Sequence, residues 1–110
     1  MDRYNKNNIM KQKYVIGIDI SKSKVDCAVM DFTFKIEYEL IITNTEKKLK
    51  SFIKDMLKLL KINADELLIC CENTGIYNRP LEIVCTDLGV DLWVEHALKI
   101  KRASTDMRGK

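Results

Sequence analysis

Several things are scarce in this chain, and each scarcity narrows the reading. Its 110 residues include one proline, four glycines, one histidine and one tryptophan. So little proline and glycine leaves no material for a flexible linker or low-complexity tract, and no repeat is visible, so one compact α/β unit is expected. No apolar run approaches the ~20 residues that span a bilayer, and the opening MDRYNKNNIMKQK lacks the apolar core of a secretion signal. A cytoplasmic protein with no membrane partner is therefore expected. The four cysteines (Cys27, Cys70, Cys71 and Cys85) form no Cys-x-x-Cys pair and read as buried thiols, not as disulfides or zinc ligands. His96 stands without a second histidine or a cysteine beside it and reads as a surface or capping group, while Trp93 reads as core of the last strand.

What is present is charge, unevenly placed. The net +3 conceals basic ends, with Arg3, Lys6, Lys11 and Lys13 at one and Lys99, Lys101, Arg102, Arg108 and Lys110 at the other. Residues 14–96 are left net acidic. Such a layout suits a protein that grips a polyanion by its edges and a cation at its centre, although solvated charge produces the same pattern.

Periodicity divides the chain into elements. Residues 13–20 read as a strand buried on both faces, SKSK (21–24) as a turn, 25–31 as a second strand and KIEYELII (35–42) as a third. In the third, Glu37 and Glu39 alternate with Ile36, Tyr38 and Leu40, the pattern of an edge strand with one wet face. A helix capped by Thr43, Asn44 or Thr45 follows, with Leu49, Phe52, Ile53, Met56, Leu57 and Leu60 on one side. Then come a strand at 66–71, a turn ENTG at 72–75, a helix over 78–88 with Pro80 in its first turn and Gly89 at its end, a strand at 90–95, and a helix from Ala97. The first 12 residues read as a flexible basic tail, and residues 13–110 as the folded domain.

The order βββαβαβ has a geometric consequence. If the first three strands form a meander and the helix makes a right-handed crossover, the strand at 66–71 runs parallel to the first. Where the sheet order reverses, their carboxyl ends open on the crevice in which α/β sheets bind ligands. Asp19 ends one strand and Glu72 the other. Two carboxylates held together either share a proton or recruit a cation, and a hard ion such as Mg²⁺ suits oxygen donors.

The stretches GIDISKSKVDCAV and CENTGIYNRPLEIVCTDLGVDLWVEHALKIKR resemble the amino-terminal domain of transposases of the insertion sequence 110 family. That resemblance implies an RNase H-like, RuvC-like fold and a divalent-metal site built from an Asp-Glu-Asp-Asp set. Asp19 matches the family's first aspartate and Glu72 its glutamate, with Ile20 and Asn73 replacing the usual valine and alanine. The last two acids and the nucleophilic serine fall beyond Lys110, so the chain resembles the start of a larger recombinase, inactive by itself. Asp106 precedes the place of the third acid and reads as a helix-end residue.

The chemistry implied is DNA cleavage and rejoining with two Mg²⁺ ions about 3.5 to 4 Å apart, stabilising the entering and leaving oxygens of a phosphodiester. Asp19 and Glu72 are the expected catalytic and metal residues; Lys22, Lys99, Lys101 and Arg102 are the expected nucleic-acid contacts. Gly17 is expected to leave room beneath the site, Gly75 to make the turn, and Thr74 to cap it. The family also implies DNA, a structured guide RNA and further copies of the protein as partners. Two other readings stay open: an actin-like or sugar-kinase-type ATP-binding domain, whose first phosphate loop GIDIS resembles, and a non-catalytic nucleic-acid docking module.

Overall fold

A computed structural model describes residues 11–96. Its elements in chain order are β1 (Tyr14–Ile20), β2 (Lys24–Asp31), β3 (Ile36–Thr43), α1 (Glu46–Leu60), β4 (Leu67–Asn73), α2 (Arg79–Leu88) and β5 (Asp91–His96). The strands form one sheet in the order β3-β2-β1-β4-β5. The β1, β2 and β3 strands make the antiparallel meander, and β4 and β5 add in parallel to β1. The expected mixed α/β sheet is therefore present, with β1 in the middle and β3 at an edge. The side chain of His96, the expected helix from Ala97, the basic tail up to residue 10, and Lys99, Lys101, Arg102 and Asp106 lie outside the described residues.

One continuous core joins Ile16, Ile18 and Ile20 of β1 to Leu49, Phe52, Ile53 and Met56 of α1 and to Leu81, Val84 and Cys85 of α2. Successive strand residues face opposite ways, so Gly17 and Asp19 belong to the other face, which no described helix covers. The expectation of a strand buried on both faces holds at Val15 and Ile16 but fails toward the carboxyl end, where Gly17 is half-buried and Asp19 exposed. Apolar content alone does not say how many faces are covered. The same correction applies to Trp93, which is 46% exposed on that open face instead of packed in the core.

The ends of the elements follow local chemistry. Thr45 caps α1, its hydroxyl accepting from Lys48 N at 3.3 Å. Helix α2 begins with proline in its first turn and stops at Gly89, whose φ of 73° only glycine adopts freely. Strand β4 runs two residues past its expected end, so Glu72 and Asn73 are strand and not turn. Gly75 makes the turn, with φ of 75°. Thr74 does not cap it: no side-chain cap bond forms there, and the Thr74 hydroxyl turns to Asn78 Oδ1. Gln12, ahead of β1, is buried and donates to Asp91 Oδ2 at 2.9 Å.

Cys27, Cys71 and Cys85 are buried as expected, whereas Cys70, on the open face, is only half-buried. Burial, helped by the charge of Asp26, pushes Cys27 up to about 12, and burial pushes Cys71 up to about 11, from an ordinary 9.0. The folded thiols therefore keep their protons at a pH where the unfolded ones have lost them. Stability from this source is complete below about pH 9 and falls as pH rises toward 11. Urea midpoints should be lower at about pH 10.5 than at about pH 8, and Cys27→Ala should shrink the difference. Equal midpoints at the two values would show that the thiols do not govern alkaline stability.

Candidate functional site

The site is built on the open face at the carboxyl end of β1. The β1–β2 hairpin pairs Asp19 directly with Asp26, and the parallel β4–β5 register pairs Glu72 with Glu95. Between these pairs, the β1–β4 ladder ends at Ile18 and Cys71, one position short of Asp19 and Glu72. Four neighbouring strands, β2, β1, β4 and β5, thus carry Asp26, Asp19, Glu72 and Glu95 in a row. Adjacent strands lie about 4.8 Å apart, so each acid in the row has its nearest neighbour one strand away.

Asp19, Asp26, Glu39 and Glu72 line one groove of about 950 Å³, floored by Gly17 and Ala28. A smaller recess of about 390 Å³ continues past Glu72 between Cys70, Trp93 and Glu95. The indole of Trp93 donates to Glu95 Oε1 at 2.8 Å, so the ring lies along the strand beside the acids. Gly17 does not need its missing side chain for packing. A Cβ there would meet only Met30 Cε at 3.5 Å, an ordinary contact, so its smallness serves the depth of the groove.

Asp19 and Glu72 therefore reach one groove from neighbouring parallel strands. Asp26, Glu39 and Glu95 were not singled out in the sequence. For Asp26 a signal existed, because the SKS turn places positions 19 and 26 symmetrically across the hairpin. For Glu95 none did, since its place beside Glu72 depends on a register between strands joined through a helix. Lys22 is exposed in the turn just past β1.

The donor set is all oxygen, which fits a hard divalent cation and not zinc, whose sites favour cysteine and histidine. Among the described residues no three Asp, Glu, His or Cys side chains converge tightly enough to hold a metal. The Ser21 turn bears on phosphate binding in a different way. Its N–H and hydroxyl both donate to Lys24 O, at 2.9 and 2.8 Å. Those donors close the hairpin and are not presented as an anion cradle of the kind nucleotide loops use.

A family model described as a transposase, of the Asp-Glu-Asp-Asp insertion sequence 110 type, matches residues 16–110. A comparison with curated proteins finds no match. Among solved structures, T. thermophilus RuvC in complex with Holliday junction substrate is similar at TM-score 0.57 and 9% identity, over 84% of this chain and 69% of that one. A Bacteroides thetaiotaomicron protein with an actin-like ATPase fold and unknown function is similar at TM-score 0.60 and 9% identity, over 80% of this chain and 35% of that one. At such identities the likeness is one of fold, which is RNase H-like and RuvC-like.

Like charges directly opposite on a hairpin destabilise it. Asp26→Asn should therefore stabilise the metal-free protein by roughly 0.2 to 1 kcal/mol, and less at high salt, where the repulsion is screened. Chemical denaturation at low and high ionic strength checks this; a destabilised Asp26→Asn would mean that no repulsion operates across the pair.

Proposed function

The chain belongs to the transposase family of insertion sequence 110, and from that premise we propose that it forms the metal-binding core of an enzyme that cleaves and rejoins DNA phosphodiesters. The observation that carries the reading is the meeting of Asp19 and Glu72 in one groove at the carboxyl edge of adjacent parallel strands. An α/β sheet binds its ligands where the strand order reverses, and β1–β4 is that place.

In the proposed mechanism Asp19 and Glu72 hold the cation, Mg²⁺ in two copies in the completed site. When bound, such ions activate the attacking hydroxyl and stabilise charge on the leaving oxygen. Asp19 anchors from the centre of the sheet, where β1 has a neighbour on each side and little freedom to move. Glu72 closes the site from β4. Lys22, on the turn beside Asp19, meets a backbone phosphate, and Lys99, Lys101 and Arg102 hold the flanking nucleic acid. The remaining two acids and the nucleophile come from sequence after Lys110. Duplex DNA is the proposed substrate, in keeping with the Holliday junction held by the RuvC relative. A structured guide RNA and further copies of the protein are the proposed partners.

The actin-like ATPase reading shares the fold, but the commitment of both Ser21 donors to Lys24 O disfavours it. Thermal stabilisation by ATP would revive it.

In the full-length protein, Asp19→Asn and Glu72→Gln should each lower Mg²⁺-dependent strand cleavage at least about a hundredfold, the equivalent of roughly 3 kcal/mol of lost transition-state stabilisation. Binding to DNA should be retained or tightened, because a negative charge is removed. Cleavage that survives either change would exclude the site. Residues 1–110 alone should bind Mg²⁺ weakly and cut nothing, as a hard cation with few carboxylates keeps its water.

Neutralising Lys99, Lys101 and Arg102 should weaken binding and flatten its salt dependence by about one unit of log-log slope for each true phosphate contact. Titrations with duplex DNA and with structured RNA read this directly. An unchanged slope on both would reduce the cluster to a solvated face.

A further inference from the structure

The β1–β4 ladder ends with Ile18 and Cys71, so Asp19 and Glu72 stand one position past its last pair, at the mouth of the seam between the two strands. Each strand is still paired on its outer side, β1 to β2 as far as Ile20 and β4 to β5 as far as Asn73.

Two buried asparagines stand there. Asn78 is fully buried; its Nδ2 donates to Glu72 O at 3.1 Å and to Cys71 Sγ at 3.4 Å. Its Oδ1 accepts from Thr74 N at 2.7 Å and from the Thr74 hydroxyl. The end of β4 is thereby tied to the turn that follows it. Asn44, at the end of β3 and 9% exposed, donates through Nδ2 to Ser21 O at 2.9 Å and to Tyr77 O at 3.0 Å. Its own N–H donates to Ser23 O at 3.0 Å. One amide thus bridges the turn after Asp19 to the turn after Glu72. Of the two, Asn44 alone reaches from the β1 turn to the turn after β4, through Nδ2, while its buried Oδ1 has no partner among the described residues; Asn78 bonds only to β4 and the turn that follows it.

We propose that Asn44 and Asn78 are positioning residues, Asn44 by tying the turn after Asp19 to the turn after Glu72 and Asn78 by fixing the backbone of Glu72 itself. They touch neither metal nor substrate. They fix the backbone from which the ligands project, and groups that orient ligands typically matter ten- to a hundredfold in metal affinity. The proposal rests on the metal-site reading of Asp19 and Glu72.

The test uses the full-length protein and Mn²⁺ alone, with free ion followed by electron paramagnetic resonance. Asn44→Ala and Asn78→Ala should each lose about tenfold or more in Mn²⁺ affinity. Asn78→Asp, which keeps the acceptor for Thr74 but loses the donor to Glu72 O, serves if Asn78→Ala fails to fold. Val84→Ala, a buried α2 substitution that lowers the melting temperature without touching the seam, should keep wild-type affinity. Hydrogen exchange gives a metal-free reading: Asn44→Ala should speed exchange in residues 72–78 as well as in 20–24. Retained affinity in the asparagine variants, an equal loss in Val84→Ala, or exchange altered on one side of the seam only would overturn the proposal. If Asp19→Asn and wild type bind Mn²⁺ alike, the metal-site reading itself fails and the positioning role falls with it.

Discussion

The parallel seam between β1 and β4 is the constraint on which the rest of the structure depends. It is where an antiparallel meander gives way to parallel α/β units, and it exists because α1 carries the chain across the sheet to the far side of β1. That crossover is stable only because α1 and α2 bury a common apolar face on the strands. The carboxyl ends of β1, β3 and β4, like that of β5, lie at the same edge of the sheet. The turns that leave those ends are then close enough for single side chains to bridge them, as Asn44 does.

A fold that collects strand ends in this way also collects charge. Asp26, Asp19, Glu72 and Glu95 stand on four consecutive strands of one face, and Glu39 borders the same groove. Aligned carboxylates repel, and nothing about the packing of the other face calls for them there. The core side of the same strands is made of isoleucine, valine, leucine and cysteine and would be as well packed whatever stood on the open side. This concentration of like charge on one face is compatible with a cation site, and it lies within residues 16–110, which belong to the transposase family.

Much of the fold was legible in particular residues. The alternation of Glu37 and Glu39 with apolar neighbours marks β3 as an edge, the run Thr43, Asn44 and Thr45, with Gly89, marks helix ends without fixing which of the first three is the cap, and the stripe from Leu49 to Met56 marks the buried side of α1. Asp19 and Glu72 stood out because an acid at the end of an apolar strand is unusual and two are more so. Trp93 and the outer face of β1 read as buried because they are apolar or lie in apolar surroundings, yet burial depends on whether a second layer covers them. Thr74 was taken as a cap from its residue type, whereas a fully buried asparagine four residues on had the better geometry for that turn.

By itself the sequence determined the elements, their order and the two acids, because periodicity, caps and turns are settled by interactions among near neighbours in the chain. The hairpin pairing of Asp19 with Asp26 belongs to that class as well, being set by a short turn. It took the assembled sheet to place Glu95 beside Glu72, to stop the β1–β4 ladder at Ile18 and Cys71, and to let Asn44 bridge the turns beyond them. These are relations between segments far apart in the chain. Their register follows from how α1 and α2 seat on the shared core, a global packing minimum that no local pattern encodes.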